Sequence, residues 1–288
     1  MATSNDWKHN QVEAVRIRKL NQANLHVECD YGQAEELNEF FSFFVPGYKF
    51  MPAFKRRVWD GKIRLFDKRT GELPAGLIYH LVQFLESRGY NYEAVRTLYG
   101  MPYSEDTIDS KELATFISKL NLPFTLRDYQ FLAVIEGLKR QRGVLLSPTG
   151  SGKSLIIYVL LSYYLGILRG TSNKKVLVIV PTTSLVEQMT NDFEEYNMPK
   201  ELAHKIYSGK DKNTNAPIIV STWQSIYKLP KQWFEQFGMV IGDECHGFKS
   251  KSLMNIMNKA TEAAYRYGTT GTLDGTQTHE LVLQGLFG

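Results

Sequence analysis

Leu145-Leu146-Ser147-Pro148-Thr149-Gly150-Ser151-Gly152-Lys153-Ser154 decides the fold. Gly143 to Leu146 reads as an apolar strand, the small residues after it as a turn, and the apolar run from about Lys153 as a helix. Strand, tight loop and helix in that order form the context a phosphate cradle needs. Gly150 and Gly152 carry no Cβ, so the backbone can bend sharply and turn successive N–H groups toward phosphate oxygens. Lys153 adds a point charge for β- and γ-phosphates, and the Ser154 hydroxyl is a candidate ligand for Mg²⁺. Ser147, Thr149 and Ser151 complete the loop as candidate contacts to the nucleotide. The stretch therefore predicts a P-loop that holds nucleotide phosphates with Mg²⁺.

Reading toward the C-terminus, the apolar runs Lys175–Val180, Ile218–Val220 and Met239–Ile241 join Gly143–Leu146 as short strands. Helical patterns at Phe131–Arg140, Leu155–Leu168, Ser184–Glu195 and Ser252–Ala260 alternate with them. Continuous apolar strands between amphipathic helices predict an α/β fold with a parallel sheet covered on both faces. Ninety residues after Lys153, Met239-Val240-Ile241-Gly242 runs into Asp243-Glu244-Cys245-His246. Two adjacent carboxylates at a strand end suit a metal–nucleotide site opposite a P-loop: Asp243 holds the metal and Glu244 orients and deprotonates the attacking water.

The order P-loop, then Asp-Glu-Cys-His, resembles the superfamily 2 helicases of the Asp-Glu-x-His type. Ser147 in place of the usual leading Gly is the form typical of these motors. Other blocks fall where that family places its motifs. Leu126-Arg127-Asp128-Tyr129-Gln130 resembles the adenine-reading segment, which implies that Arg127 and the Gln130 amide contact the base. Pro181-Thr182-Thr183-Ser184-Leu185 and Val220-Ser221-Thr222-Trp223-Gln224-Ser225 resemble two motifs that bind nucleic-acid backbone, implicating Thr182, Thr183, Ser221, Thr222 and Trp223. Thr270-Gly271-Thr272 resembles the motif that couples the nucleotide site to movement along nucleic acid, and His246 would bridge the same regions. The resemblance implies a RecA-like lobe over 123–288. It also implies a second RecA-like lobe, which these residues do not contain, so weak or no turnover is expected of this half alone.

Ahead of the motor, residues 1–96 read as a small α+β domain, and 97–122, broken at Met101-Pro102 and Pro123, as a connector. Val15–Arg18 and Leu25–Cys29 alternate around Asn21–Asn24 as a hairpin. Gln33–Phe44 has helical spacing, Lys62–Phe66 alternates again, Ala75–Arg88 reads as a helix closed by Gly89, and Tyr92–Val95 as a last strand. Between Gly47 and Arg69 there are eight basic residues against two acidic, a local charge of +6 in a chain whose net charge is +4. Cations and rings interleave through Lys49-Phe50-Met51-Pro52-Ala53-Phe54-Lys55-Arg56-Arg57-Val58-Trp59-Asp60-Gly61-Lys62-Ile63-Arg64. Lys55, Arg56, Arg57, Lys62 and Arg64 are the candidate phosphate contacts, and the rings either pack inward or stack on bases.

That tract, with the small domain before the motor, narrows the resemblance to the UvsW-like helicases of bacteriophages. The resemblance implies an ATP-dependent DNA helicase acting on branched intermediates (Holliday junctions, forks and RNA–DNA R-loops) in recombination, repair and replication. An ATP-switched binding module and the motor subunit of a restriction system share the motor motifs and stand as alternatives; no nuclease signature accompanies them here.

Composition fits this reading. The 288 residues are 43% hydrophobic and 22% charged, and no apolar run approaches the ~18 residues of a membrane span. Met1 to Asn10 is polar, unlike a secretory leader. Two distant cysteines, Cys29 and Cys245, argue against a disulfide framework and for a reducing cytoplasm, the host's for a phage protein.

Overall fold

The computed structural model describes residues 14–148, 150–271 and 277–288. The chain divides into two compact units. The first holds Asn24–Pro74 and Ile78–Pro102 with the chain up to Leu20; the second holds Tyr103–Gly288 with the short segments Asn21–Ala23 and Ala75–Leu77.

In the first unit, strands β1 (Val15–Lys19) and β2 (Asn24–Glu28) form the antiparallel hairpin. Helix α1 (Tyr31–Phe40) follows, capped by Asp30, whose carboxylate accepts from the Gln33 N–H while the Gln33 side chain accepts from the Asp30 N–H. Then come β3 (Ser42–Phe44), the short helix α2 (Pro52–Lys55), β4 (Lys62–Arg64), β5 (Glu72–Pro74), α3 (Ile78–Arg88) and β6 (Tyr92–Val95). Four strands make a mixed sheet in the order β5-β2-β1-β6, with β6 parallel to β1. Val15, Ile17, Leu25 and Val27 are buried, one residue in two, as period-2 strands require. Phe40 of α1 meets Phe84 of α3 with ring centroids 4.7 Å apart.

Strands β3 and β4 form a separate antiparallel pair. This corrects the helix expected over Gln33–Phe44. Its spacing is helical only to Phe40, after which Phe41 caps the helix and Ser42–Phe44 pairs with Lys62–Arg64. A partner some twenty residues away leaves no local mark on periodicity.

The second unit is an α/β lobe. In chain order it contains α4 (Ser110–Lys119), α5 (Asp128–Arg140), β7 (Arg142–Leu146), α6 (Lys153–Tyr163), β8 (Lys175–Val180), α7 (Thr183–Glu195) and β9 (Ala203–Ile206). After these come β10 (Ile218–Thr222), the short helices α8 (Trp223–Ile226) and α9 (Lys231–Phe234), β11 (Phe237–Gly242), α10 (Lys251–Lys259), β12 (Tyr265–Thr270) and α11 (Gln277–Phe287). All six strands run parallel, in the order β7-β12-β11-β8-β10-β9. β10, β11 and β12 are buried along their whole length, as a sheet covered on both faces requires.

The segment expected to be a connector contributes to this lobe. Asp109 caps α4, Leu113 is fully buried in the lobe's core, and Phe116 meets Tyr163 edge-on at 5.0 Å. The single helix expected over Leu155–Leu168 is α6 followed by a π-helical turn at Tyr164–Leu168. Among the described residues, no helix is long and apolar enough to cross a membrane.

Candidate nucleotide site and nucleic-acid groove

A parallel sheet presents the loops after all its strands at one edge, and ligands of open α/β sheets bind outside the carboxyl ends of the strands. The P-loop follows β7, Asp243 follows β11, Thr270 ends β12, Thr182 follows β8 and Thr222 ends β10. Motifs scattered over more than a hundred residues thus share one edge.

At the P-loop, Gly150 and Gly152 adopt φ of +80° and +78°, the left-handed turns only glycine makes without strain. A Cβ on Gly152 would also lie 2.4 Å from Nε2 of Gln130, so both its conformation and its bareness are used. The Ser147 and Ser151 hydroxyls are hydrogen-bonded to each other, and the Ser151 hydroxyl donates to the Pro148 carbonyl at 2.6 Å. Thr149 lies outside the described residues. The Lys153 ammonium bridges to the acid pair, 2.6 Å from Oε1 of Glu244 and 3.9 Å from Oδ1 of Asp243. P-loop and acid box, separated by ninety residues in sequence, therefore meet through opposite charges.

The end of β12 ties this arrangement together. The Thr269 hydroxyl donates to Oδ1 of Asp243 at 2.6 Å, the Ser147 N–H donates to the Thr270 carbonyl at 2.9 Å, and Nδ1 of His246 lies 3.1 Å from Oγ1 of Thr270. The same His246 nitrogen is 3.4 Å from Oε2 of Glu244. One strand end thus touches the P-loop, the buried Asp243 and the Glu244–His246 pair. Gly271 follows it; Thr272 lies outside the described residues.

Two of the expected contact residues are buried. Gln130, expected to offer its amide to adenine, makes two hydrogen bonds within the chain. Nε2 donates to the Ser151 carbonyl at 3.0 Å, and Oε1 accepts from the Arg127 N–H at 2.9 Å. It braces the P-loop, helped by the Tyr129 hydroxyl, which donates to the same carbonyl at 2.8 Å. The Arg127 side chain is exposed beside it, 3.4 Å from the Tyr129 hydroxyl. Ser221, expected to touch nucleic acid, is wholly buried, its hydroxyl hydrogen-bonded to the carbonyls of Ile206 and Thr222. A strand covered on both faces leaves that side chain no path to a ligand.

Three of the remaining nucleic-acid candidates of the lobe, Thr182, Thr183 and Thr222, meet at a groove of about 590 Å³ that Gln224, Lys210 and Lys212 also line. Thr182 caps α7, accepting from the Leu185 N–H at 3.3 Å, and the buried Thr222 shares a hydrogen bond with Ser225. Trp223, half-buried, meets Tyr227 edge-on. The sequence reading missed the loop after β9, where Lys210 lies 4.2 Å over the Tyr207 ring. It also missed Tyr196, whose hydroxyl is 2.9 Å from Oγ of Ser154. Only polar residues at the end of a short strand marked the first, and nothing local marked the second.

In the small unit the candidate cations divide. Arg64 is paired with Asp60, and this guanidinium, with the Lys62 N–H, holds the Asp60 carboxyl down at about 2. Lys62 lies 5.0 Å over the Phe44 ring. Lys55, Arg56 and Arg57 are exposed and have no ion pair among the described residues.

Both thiols are shifted upward by their surroundings. Burial, then the Asp243 and Glu244 carboxylates, pushes Cys245 up to about 12, and burial pushes Cys29 up to about 11. Cys245 packs so closely on β12 that a Cβ on Gly268 would lie 2.9 Å from its sulfur. In native protein at neutral pH, a thiol reagent is expected to modify Cys245 at least about 10³-fold more slowly than in denaturant, since it must wait for unfolding. Rapid labelling of Cys245 in the native state, read by peptide mass, would contradict this burial.

A P-loop sequence facing an acid pair, on a RecA-like parallel sheet whose strand ends also carry a polar groove, has the layout of a superfamily 2 motor lobe. Comparison with known proteins agrees. Residues 123–275 match the family described as type III restriction enzyme, res subunit, and residues 14–94 match the family described as DNA helicase UvsW, N-terminal. The chain is 35% identical over 284 residues to the ATP-dependent DNA helicase uvsW of Enterobacteria phage T4, covering 95% of this chain and 55% of that protein. It is 29% identical over 168 residues to the DNA 3'-5' translocase XPB2 of Sulfurisphaera tokodaii, covering 58% of this chain and 34% of that protein. A crystal structure of the UvsW helicase from bacteriophage T4 superposes with a TM-score of 0.84 at 34% identity, covering 96% of this chain and 98% of that one. The chain belongs to the UvsW helicase family. It spans about half the length, or less, of the curated relatives it matches.

Proposed function

We propose that this chain is the nucleotide-binding half of an ATP-dependent DNA helicase that remodels branched DNA in recombination, repair and replication, with Holliday junctions, forks and R-loops as substrates. The observation that carries the reading is the Lys153–Glu244 bridge, which joins a P-loop to an acid pair at the sheet edge that also holds the polar groove. A superfamily 2 motor closes two RecA-like lobes on its nucleotide, and residues 123–288 supply one. Residues 1–96 grip DNA, 97–122 join the two, and the whole protein works in the host cytoplasm.

In this reading the P-loop N–H groups and Lys153 hold the β- and γ-phosphates. Ser154 and Asp243 are oxygen donors of the kind Mg²⁺ takes in small number beside phosphates and water, and the acid pair already faces a cation, the Lys153 ammonium. Bound Mg²⁺ would neutralise charge developing on the transferred phosphoryl group. Glu244 takes the proton of the attacking water once Lys153 turns to phosphate, and His246 holds its other oxygen in place. Thr269 and Thr270 carry any shift of β12 to both Asp243 and His246. Thr182, Thr183 and Thr222, which line the groove with Lys210 and Lys212, take backbone phosphates without reading sequence, as does the neighbouring Trp223.

The test is nucleotide hydrolysis by the helicase on a four-way junction, a fork, an RNA–DNA hybrid, a plain duplex and single strands. Strongest stimulation by the branched molecules is expected. Equal stimulation by plain duplex contradicts the branched substrate, and failure to bind any DNA contradicts the reading as a whole.

A further inference from the structure

We propose that Tyr196 and Asp192, one turn apart at the end of α7, are positioning residues for Ser154: together they occupy its proton and one of its lone pairs, and so aim the remaining lone pair at Mg²⁺. The proposal rests on the reading of Ser154 as a metal ligand and names the groups that make it one.

A serine hydroxyl carries one proton and two lone pairs, and it can ligate a cation only through a lone pair. Unrestrained, the side chain has several staggered wells to choose from and its proton rotates freely, so the oxygen faces the metal only part of the time. Here the hydroxyl has two partners on α7. The Tyr196 hydroxyl lies 2.9 Å from Oγ of Ser154, and the Asp192 carboxylate is hydrogen-bonded to the same serine. A carboxylate cannot donate, so the single proton of Ser154 goes to Asp192 and the Tyr196 hydroxyl donates to a lone pair. One lone pair is left on Oγ.

The local structure holds both partners still. Asp192 and Tyr196 have the spacing that puts two side chains on one helix face, and the Tyr196 N–H closes the turn on the Asp192 carbonyl at 3.0 Å. The phenol is buried, its ring 5.4 Å from that of Tyr158 on α6 and edge-on to Phe124 at 6.3 Å. Phe193, fully buried on the same turn, lies 5.8 Å from Tyr158 and fixes the last turn of α7 against α6. The chain then turns at Asn197, φ +69°, whose side-chain amide donates to the Asn121 carbonyl. A hydroxyl on a ring so enclosed keeps its direction, and hydrogen-bonded partners of a ligand tune metal affinity without touching the metal. A buried phenol also needs a partner for its own sake, so the test must separate a satisfied tyrosine from an aimed serine.

Equilibrium binding of a fluorescent ADP analogue to the chain, in excess Mg²⁺ and in EDTA, gives the factor by which Mg²⁺ tightens nucleotide. Tyr196→Phe keeps the ring and removes the hydroxyl. It is expected to lower that factor about tenfold, as is Asp192→Ala, with binding in EDTA within about twofold of the parent. Ser154→Ala lowers the factor too, and adding Tyr196→Phe to it should change nothing further, because the tyrosine acts through the serine. Thermal melting reads folding separately, and Tyr196→Phe decides alone if Asp192→Ala does not fold. An undiminished Mg²⁺ factor in Tyr196→Phe overturns the proposal while the nucleotide site stands. A loss that recurs in full on the Ser154→Ala background, or that is equally large in EDTA, makes the tyrosine a packing residue and overturns the proposal as well. If the parent binds nucleotide no better with Mg²⁺ than without, the metal site itself fails and the proposal falls with it.

Discussion

Lys153→Ala is expected to weaken Mg–ATP binding by about 10- to 100-fold, the worth of a charge-assisted hydrogen bond, and to cut hydrolysis by the helicase by a further ~10²-fold or more. The structure says why the loss should be chemical rather than structural. Lys153 bonds to a partly exposed Glu244, which water can serve in its place, while the buried Asp243 keeps its bond from Thr269 and its own N–H bonds the Ile179 carbonyl. The P-loop keeps its brace from Gln130 and Tyr129 on the Ser151 carbonyl. Melting should therefore shift by no more than a few degrees. Collapse of the fold instead would make the Lys153 bridge a structural element.

Glu244→Gln should separate binding from turnover. If Glu244 accepts the proton of the attacking water, hydrolysis falls by about 10²–10⁴. Nucleotide affinity should hold or rise, because the uncharged amide no longer competes with phosphate for the Lys153 ammonium now 2.6 Å away. Single-turnover hydrolysis and equilibrium binding read the two effects independently. A matching loss of affinity would instead place Glu244 among the groups that hold the metal.

The contrast between Lys153 and Gln130 shows what sequence could and could not give. P-loop, acid box and four apolar strands were legible because each is a local pattern: bare glycines at a turn, two acids after an apolar run, continuous apolar residues. The strand Tyr265–Thr270 was not legible, because Arg266 interrupts its apolar character. That side chain is buried on β12, where its guanidinium donates to the carbonyls of Ala263, Met257 and Ala260, and burial pushes it well below its usual range. A charge satisfied only by backbone carbonyls looks in sequence like a surface residue. The edge strand Ala203–Ile206 was missed for a related reason, as its outer side needs no apolar run.

At the site, residue types were easier to read than residue partners. The Gln130 amide and the Ser221 hydroxyl each bond a backbone carbonyl, a partner that only the fold reveals. Rings and cations of the 49–64 tract likewise divide by position. Tyr48 and Phe54 pack ring on ring, the Trp59 indole bonds the Lys62 carbonyl and Arg64 answers Asp60, while Phe50 and Val58 stay exposed.

The most direct test of the account is calorimetric titration of ATP into this 288-residue chain with and without Mg²⁺, beside Lys153→Ala. The account predicts one saturable, Mg²⁺-dependent site per chain that Lys153→Ala weakens at least tenfold. Equal binding by the two proteins, or no binding by either, would contradict the assignment of the Gly150–Ser154 loop and the Asp243–Glu244 pair as a nucleotide site.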